Sequence, residues 1–291
     1  MDRMEPRDWF WMLFGLFLVF MVFLPILQRS GQAAARRGKL DTFQRARKSR
    51  VILLIHRQET VSFLGVPLGR YIDIEDSEAI LRAIRLTPAD LPIDLIVHTP
   101  GGLVLAAEQI AHALRRHPAP VTIFVPHYAM SGGTLLALAC DQIVMDPNAV
   151  LGPVDPQIGP FAAASILEAV ARKPVEAVSD QTLMLADLAR KALVQVRGTV
   201  ITILTLGGMD RARAAALAET LATGTVTHDY PISFERAQAL GLPVSDAFPN
   251  EVHELMSQYA TPTNRRPSVM YVPLPGAEGE APARGRPGPP R

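Results

Sequence analysis

A chain of 291 residues that is 48% hydrophobic can bury a large core, and 29 basic against 28 acidic side chains leave a net charge of only +1. That balance excludes a general nucleic-acid surface, which needs a concentrated basic excess. The single cysteine, Cys140, excludes an internal disulfide framework and a multi-cysteine zinc site; within the apolar run Leu135–Cys140 it reads as a small buried hydrophobe.

The first element is Trp9–Leu27, nineteen residues without a charge. At about 1.5 Å per residue, such a helix crosses the roughly 30 Å hydrocarbon layer of a bilayer. Trp9 and Trp11 stand where an interfacial aromatic anchor is expected. A cleaved signal peptide is the competing reading, and Ala33–Ala35 would suit its cleavage. Yet Asp2, Glu5 and Asp8 outnumber Arg3 and Arg7 where a signal peptide carries its basic start. Residues 1–28 are therefore expected to be a retained transmembrane anchor. Arg29, Arg36, Arg37, Lys39, Arg45, Arg47, Lys48 and Arg50 follow the span, so the positive-inside rule puts a single-pass protein's body in the cytoplasm. Residues 29–50 read as a basic juxtamembrane linker, able to lie along anionic headgroups.

The body is expected over residues 51–260. Val51–Ile55, Ile93–His98, Val121–Val125 and Gln142–Met145 are short apolar runs that read as buried strands. Ser77–Arg85 and Leu103–Arg116 have helical spacing between them, followed by Asp180–Val196, Arg211–Ala222 and Phe234–Leu240. Strand and helix alternating in this way predict an α/β fold with a mostly parallel, helix-covered sheet. Residues 261–291 are dominated by Pro, Gly and Arg and cannot bury a core; this tail is expected to stay disordered.

Two segments carry candidate chemistry. His98-Thr99-Pro100-Gly101-Gly102 joins a strand to a helix, where paired glycines let backbone N–H groups approach a ligand at a positive helix start. Tyr128-Ala129-Met130-Ser131-Gly132-Gly133-Thr134 also lies between a strand and an apolar helix. A serine at such a turn presents its hydroxyl beside the next residue's N–H, although an ordinary helix-capping serine fits the segment equally well.

Taken together, Thr99-Pro100-Gly101-Gly102 and Met130-Ser131-Gly132-Gly133 resemble the Clp protease subunit and signal peptide peptidase A. The stretch His127–Asp141 followed by Met145–Gln157 is similar to the serine dehydrogenase proteinase family, single-span membrane proteins of the same Clp/crotonase-like superfamily. The resemblance implies a spiral of ββα units and a serine endopeptidase acting on a protein or peptide. Ser131 would be its nucleophile, and the N–H groups of Gly102 and Gly132 its oxyanion hole. It also implies self-association into a homo-oligomer.

The base is less directly indicated. No histidine follows Ser131 by the two dozen residues of the Clp subunit, a spacing that falls near Asp155 and Pro156. The peptidase A branch uses a lysine in a loop before a long helix, which implies Lys173, with Lys191 as its rival. Asp155 could orient the site or simply turn the chain. His228 and His253 lie far downstream. The seven histidines show no metal-ligand spacing, and no Gly-x-Gly-x-x-Gly or P-loop is present, so neither metal nor cofactor is expected. Two rivals to the peptidase remain: a crotonase-type acyl-CoA enzyme, and a catalytically silent membrane scaffold.

Overall fold

The computed structural model describes residues 36–56 and 71–259, two short strands between them, and a few helical positions between 11 and 21. Most of the candidate span Trp9–Leu27, and the tail 261–291, lie outside the described residues. Among the described residues no helix is long and apolar enough to cross a membrane.

In chain order, helix α1 (residues 36–47) leads into β1 (Arg50–Ile55). The short strands β2 (Ser62–Phe63) and β3 (Val66–Pro67) precede α2 (Ile74–Arg85), β4 (Ile93–His98) and α3 (Val104–Arg116). Next come β5 (Val121–Val125), β6 (Tyr128–Ala129), α4 (Gly132–Leu138), β7 (Gln142–Met145) and β8 (Val150–Leu151). The hairpin β9 (Gln157–Ile158) and β10 (Phe161–Ala162) opens the helical half: α5 (Ala163–Ala171), α6 (Asp180–Leu206), α7 (Arg211–Ala222) and α8 (Phe234–Ala239). Strand β11 (Val244–Ser245) and α9 (Asn250–Ser257) close the described chain.

Five strands form one sheet in the order β1-β4-β5-β7-β11, all parallel. Alternate residues of each strand face opposite sides, and the apolar ones sort accordingly. Leu95, Val97, Ile123, Val125, Ile143 and Met145 join the larger core with α3, α4, α6 and α7. Ile96, Phe124 and Val144 face Phe43 of α1 and Val252, Leu255 and Met256 of α9. Burial on both faces explains why β4 and β5 read as unbroken apolar runs.

The segment expected to be a basic linker is corrected here. Its second half is α1, and the domain begins by residue 36 rather than at Val51. Basic side chains fold back onto the body because acids and carbonyls await them. Lys39 pairs with Glu254 at 2.9 Å, and Arg36 bonds Gln258 O and covers the Tyr259 ring. Arg47 grips Asp94 through Nε and Nη2 at 2.8 and 3.1 Å. Asp94 is only 1% exposed, so this charge needed a partner, and Ser49 Oγ adds a third bond at 2.6 Å.

A second, smaller ladder crosses the carboxyl ends of the main strands. It consists of β6 pairing with β8 and the bridges Ile72–Gly102 and Thr99–Ala129. The run β5–β6–α4 is one strand–strand–helix unit, and this ladder shapes the two glycine turns.

Candidate active site

The turn between β6 and α4 is locked before any ligand arrives. Gly133 N–H donates to Met130 O at 2.7 Å, and Met130 N–H to Thr99 O at 2.9 Å. Ser131 between them adopts φ 49° and ψ −114°, in the positive-φ region that side chains avoid. Holding it there costs on the order of 1–3 kcal/mol, offset by the surrounding bonds. Its hydroxyl makes no cap bond to α4 and no hydrogen bond to any described residue. The capping-serine reading of this segment is thereby set aside.

The turn after β4 fits against Ser131 with no room to spare. Gly101 has φ 110°, and a Cβ there would stand 2.7 Å from Ser131 Cβ. Gly102 lies against Ile72, whose N–H donates to Gly101 O at 2.7 Å and whose O accepts from Leu103 N–H at 2.8 Å. A Cβ on Gly102 would fall 2.2 Å from Ile72 O. Below the turn runs a buried chain of hydrogen bonds. Asp76 Oδ2 lies 3.2 Å from His56 Nε2, His56 Nδ1 lies 2.9 Å from Thr99 Oγ1, and Thr99 Oγ1 accepts from Gly101 N–H at 3.2 Å. The carboxylate can only accept, so it sets the donor and acceptor sense along the chain and holds the turn in register.

These two turns open onto a cavity of about 160 Å³. Ser131, Gly102 and Gly132 all line it, beside Val104, Ala107, Leu135, Val154 and Val196. Neither the Gly102 nor the Gly132 N–H donates to another described residue. A hydroxyl beside two unspent amide donors is the arrangement acyl transfer needs, because the donors meet negative charge as it develops on the carbonyl oxygen.

The candidate residues are thus only partly assembled. Ser131, Gly102 and Gly132 converge, but Lys173 does not line the cavity. It sits exposed two residues beyond α5, its N–H donating to Val170 O at 3.2 Å. Lys191 lies on the outer face of α6, 72% exposed and paired with Asp187 at 2.6 Å. Asp155, read as either orienter or turn, is buried in the cavity wall. His228, far downstream in sequence, lines the same cavity and meets Asp155 at 2.8 Å. The only sequence signal for that pairing was an acid in an apolar stretch; nothing showed that the acid would be buried. Among the described residues no group of three or more His, Cys, Asp or Glu side chains is placed to hold a metal.

Comparison with known proteins identifies the family. The model of the ClpP-like SDH-type serine proteinases matches residues 1–284. The chain belongs to that family. Two uncharacterized proteins of Methanocaldococcus jannaschii are similar to this serine proteinase homologue over nearly its whole length. MJ1495 is 50% identical, with 96% of this chain and 94% of the relative covered, and MJ0137 is 48% identical, with 94% and 96% covered. Among solved structures, the 1510-N membrane-bound stomatin-specific protease aligns with a TM-score of 0.43 and 18% identity. It covers 72% of this chain and 84% of that one. The mixed α/β fold with a parallel sheet is the ClpP-like fold the family implies.

Proposed function

We propose that the protein is a serine endopeptidase in which Ser131 attacks a peptide carbonyl and is acylated. The Gly102 and Gly132 N–H groups hold the oxyanion. The observation that carries this reading is the strained Ser131 backbone, which keeps a hydroxyl beside two amide donors in one cavity, all three without a hydrogen-bond partner among the described residues. Strain of this kind persists only where the surrounding structure over-determines it, and it clusters at active sites. An acyl-CoA hydratase would use the two donors but would need no nucleophile at that point, and a silent scaffold would need neither. The apolar lining of Val104, Ala107, Leu135, Val154 and Val196 suits an uncharged, aliphatic side chain next to the scissile bond.

The sequence of Trp9–Leu27 further supports a protein held to a membrane by one helix, with the peptidase body on the cytoplasmic side. Self-association of the body is part of the same reading. The test is covalent labelling of the full-length protein with a fluorophosphonate, read by mass spectrometry, alongside turnover of an unfolded protein substrate. Wild type is expected to carry the label on Ser131, and Ser131→Ala to lose both label and turnover. Equal, nonzero turnover in the two proteins would refute the proposal. So would a wild type that takes no label.

A further inference from the structure

The cavity beside Ser131 keeps one carboxylate that no cation among the described residues neutralises. Its lining contains no lysine or arginine. Of its two acids, Asp155 is buried and met by His228 Nδ1 at 2.8 Å and Gln157 Nε2 at 2.7 Å. The other, Glu108, is half-buried on α3, and Thr199 Oγ1 of α6 donates to its Oε1 at 2.6 Å. Its Oε2 has no partner among the described residues. A carboxylate drawn out of water is normally paired, because leaving it unpaired is costly. Here a neutral hydroxyl fixes the direction of the group and leaves its charge unmet.

Glu108 also stands at a junction. The same side chain lines an open groove between α2 and α3, with Leu81, Leu105, His112 and Arg116. Arg116, the cation of that groove, lies two turns beyond Glu108, about 12 Å along α3 at about 1.5 Å per residue, and forms no ion pair with it. Val104, one turn before Glu108, faces the cavity with it. An aliphatic stem laid on Val104 would carry a charged head to Glu108.

We infer that Glu108 determines specificity by taking a lysine or arginine side chain of the substrate, within about two residues of the bond that is cut. The inference rests on the peptidase reading and names its substrate class, an unfolded segment in which a basic residue flanks an aliphatic one. From Val104 to Glu108 the helix rises about 6 Å, the span of about two residues of extended chain. The aliphatic residue fills the wall of Ala107, Leu135 and Val196, and the chain passes over Glu108 into the groove. Because space continues beyond Glu108, the cation is an internal side chain rather than the α-ammonium of a peptide's first residue. No bond or proton changes hands at Glu108; it binds and orients.

The test uses full-length wild type, Glu108→Gln and Glu108→Lys. Glutamine keeps the shape and an oxygen for Thr199 Oγ1 while removing the charge. The substrates are quenched peptides identical except for Lys, Gln or Glu on both sides of an aliphatic centre, each with a free and an acetylated N-terminus. Wild type is expected to prefer the Lys peptide to the Gln peptide by about 10- to 100-fold in kcat/KM, the worth of a hydrogen bond to a charged group. The preference should lie in KM and shrink as salt is added. Glu108→Gln should bring that ratio near one, and Glu108→Lys should favour the Glu peptide. A merely structural Glu108 would instead lower the melting temperature of its variants and slow all three peptides alike, which would overturn the inference. Wild type cutting the three peptides equally, or cleavage abolished by acetylation, would overturn it too, and both leave the peptidase reading standing. Ser131→Ala cutting these peptides as fast as wild type, or a wild type that cuts none of them and no unfolded protein, would sink both.

Discussion

The tightest constraint in the site is the contact of Gly102 with Ile72, and Gly102→Ala measures what that contact does. A Cβ added there would lie 2.2 Å from Ile72 O, 2.3 Å from its N and 2.7 Å from its Cα, all backbone atoms that cannot rotate away. Restoring normal contact of about 3.5 Å requires the two segments to part by roughly 1 Å. The Ile72 N–H···Gly101 O and Leu103 N–H···Ile72 O bonds, now 2.7 and 2.8 Å, would then be stretched or lost. At about 1 kcal/mol each, this removes roughly 2 kcal/mol of stability. A melting temperature lower by about 4–8 °C follows for a domain of this size. The same displacement exceeds the roughly 0.5 Å within which a catalytic donor must be held. Losing one oxyanion donor costs about 10²- to 10³-fold in kcat. The assay pairs steady-state kinetics on a fluorogenic peptide with a thermal melt, using Gly198→Ala as comparison. Gly198 lies within α6 with nothing within 4 Å of an added Cβ, so alanine there should keep kcat and raise stability by about 0.5–1 kcal/mol. Gly102→Ala with unchanged kcat and melting temperature would refute the reasoning.

Thr99→Val keeps the shape of a fully buried side chain but cuts the chain from Asp76 through His56 to Gly101. It should lower stability by about 1–3 kcal/mol and slow turnover, whereas Thr99→Ser restores both; thermal melts and kinetics read the result. Arg47 is held above the ordinary guanidinium value by its hydrogen bond to Asp94. Arg47→Leu leaves that buried carboxylate with Ser49 alone, and chemical denaturation should show a loss of roughly 3 kcal/mol. Burial pushes the Cys140 thiol up, and it donates to Leu136 O at 3.2 Å. Iodoacetamide at pH 8 should therefore leave native protein unmodified and label it in urea; rapid native labelling would contradict the packing of α4.

The buried half of the fold was plainly legible in the sequence. Ile93–His98, Val121–Val125 and Gln142–Met145 are strands with the bounds expected from their apolar runs, and Arg211–Ala222 is the helix its spacing indicated. These segments are covered on both faces or pack through a regular stripe, so composition alone carries the signal. Elements held by distant partners were harder to see. Helix α1 looked like a solvated basic linker because the acids that neutralise it, Asp94 and Glu254, lie far along the chain. Helix α6 continues to Leu206, well past the expected Val196, its later turns buried at Val200, Ile203 and Leu204. In the site, Ser131 and the two glycine turns announced themselves because local backbone geometry demands glycine there. His228 did not, since its place depends on Asp155 across 73 residues and on two backbone bonds at Ile232.

The docking of α1 on the sheet has a spatial corollary. Should Trp9–Leu27 lie in a bilayer, only residues 28–35 connect it to the folded body, a leash that at about 3.5 Å per residue reaches no farther than roughly 30 Å. The cleft is then confined to a shallow zone beside the lipid. Chains emerging from, or resting on, that surface meet it at high local concentration, while proteins in the bulk must diffuse in. Proximity would select what is cut before any pocket does.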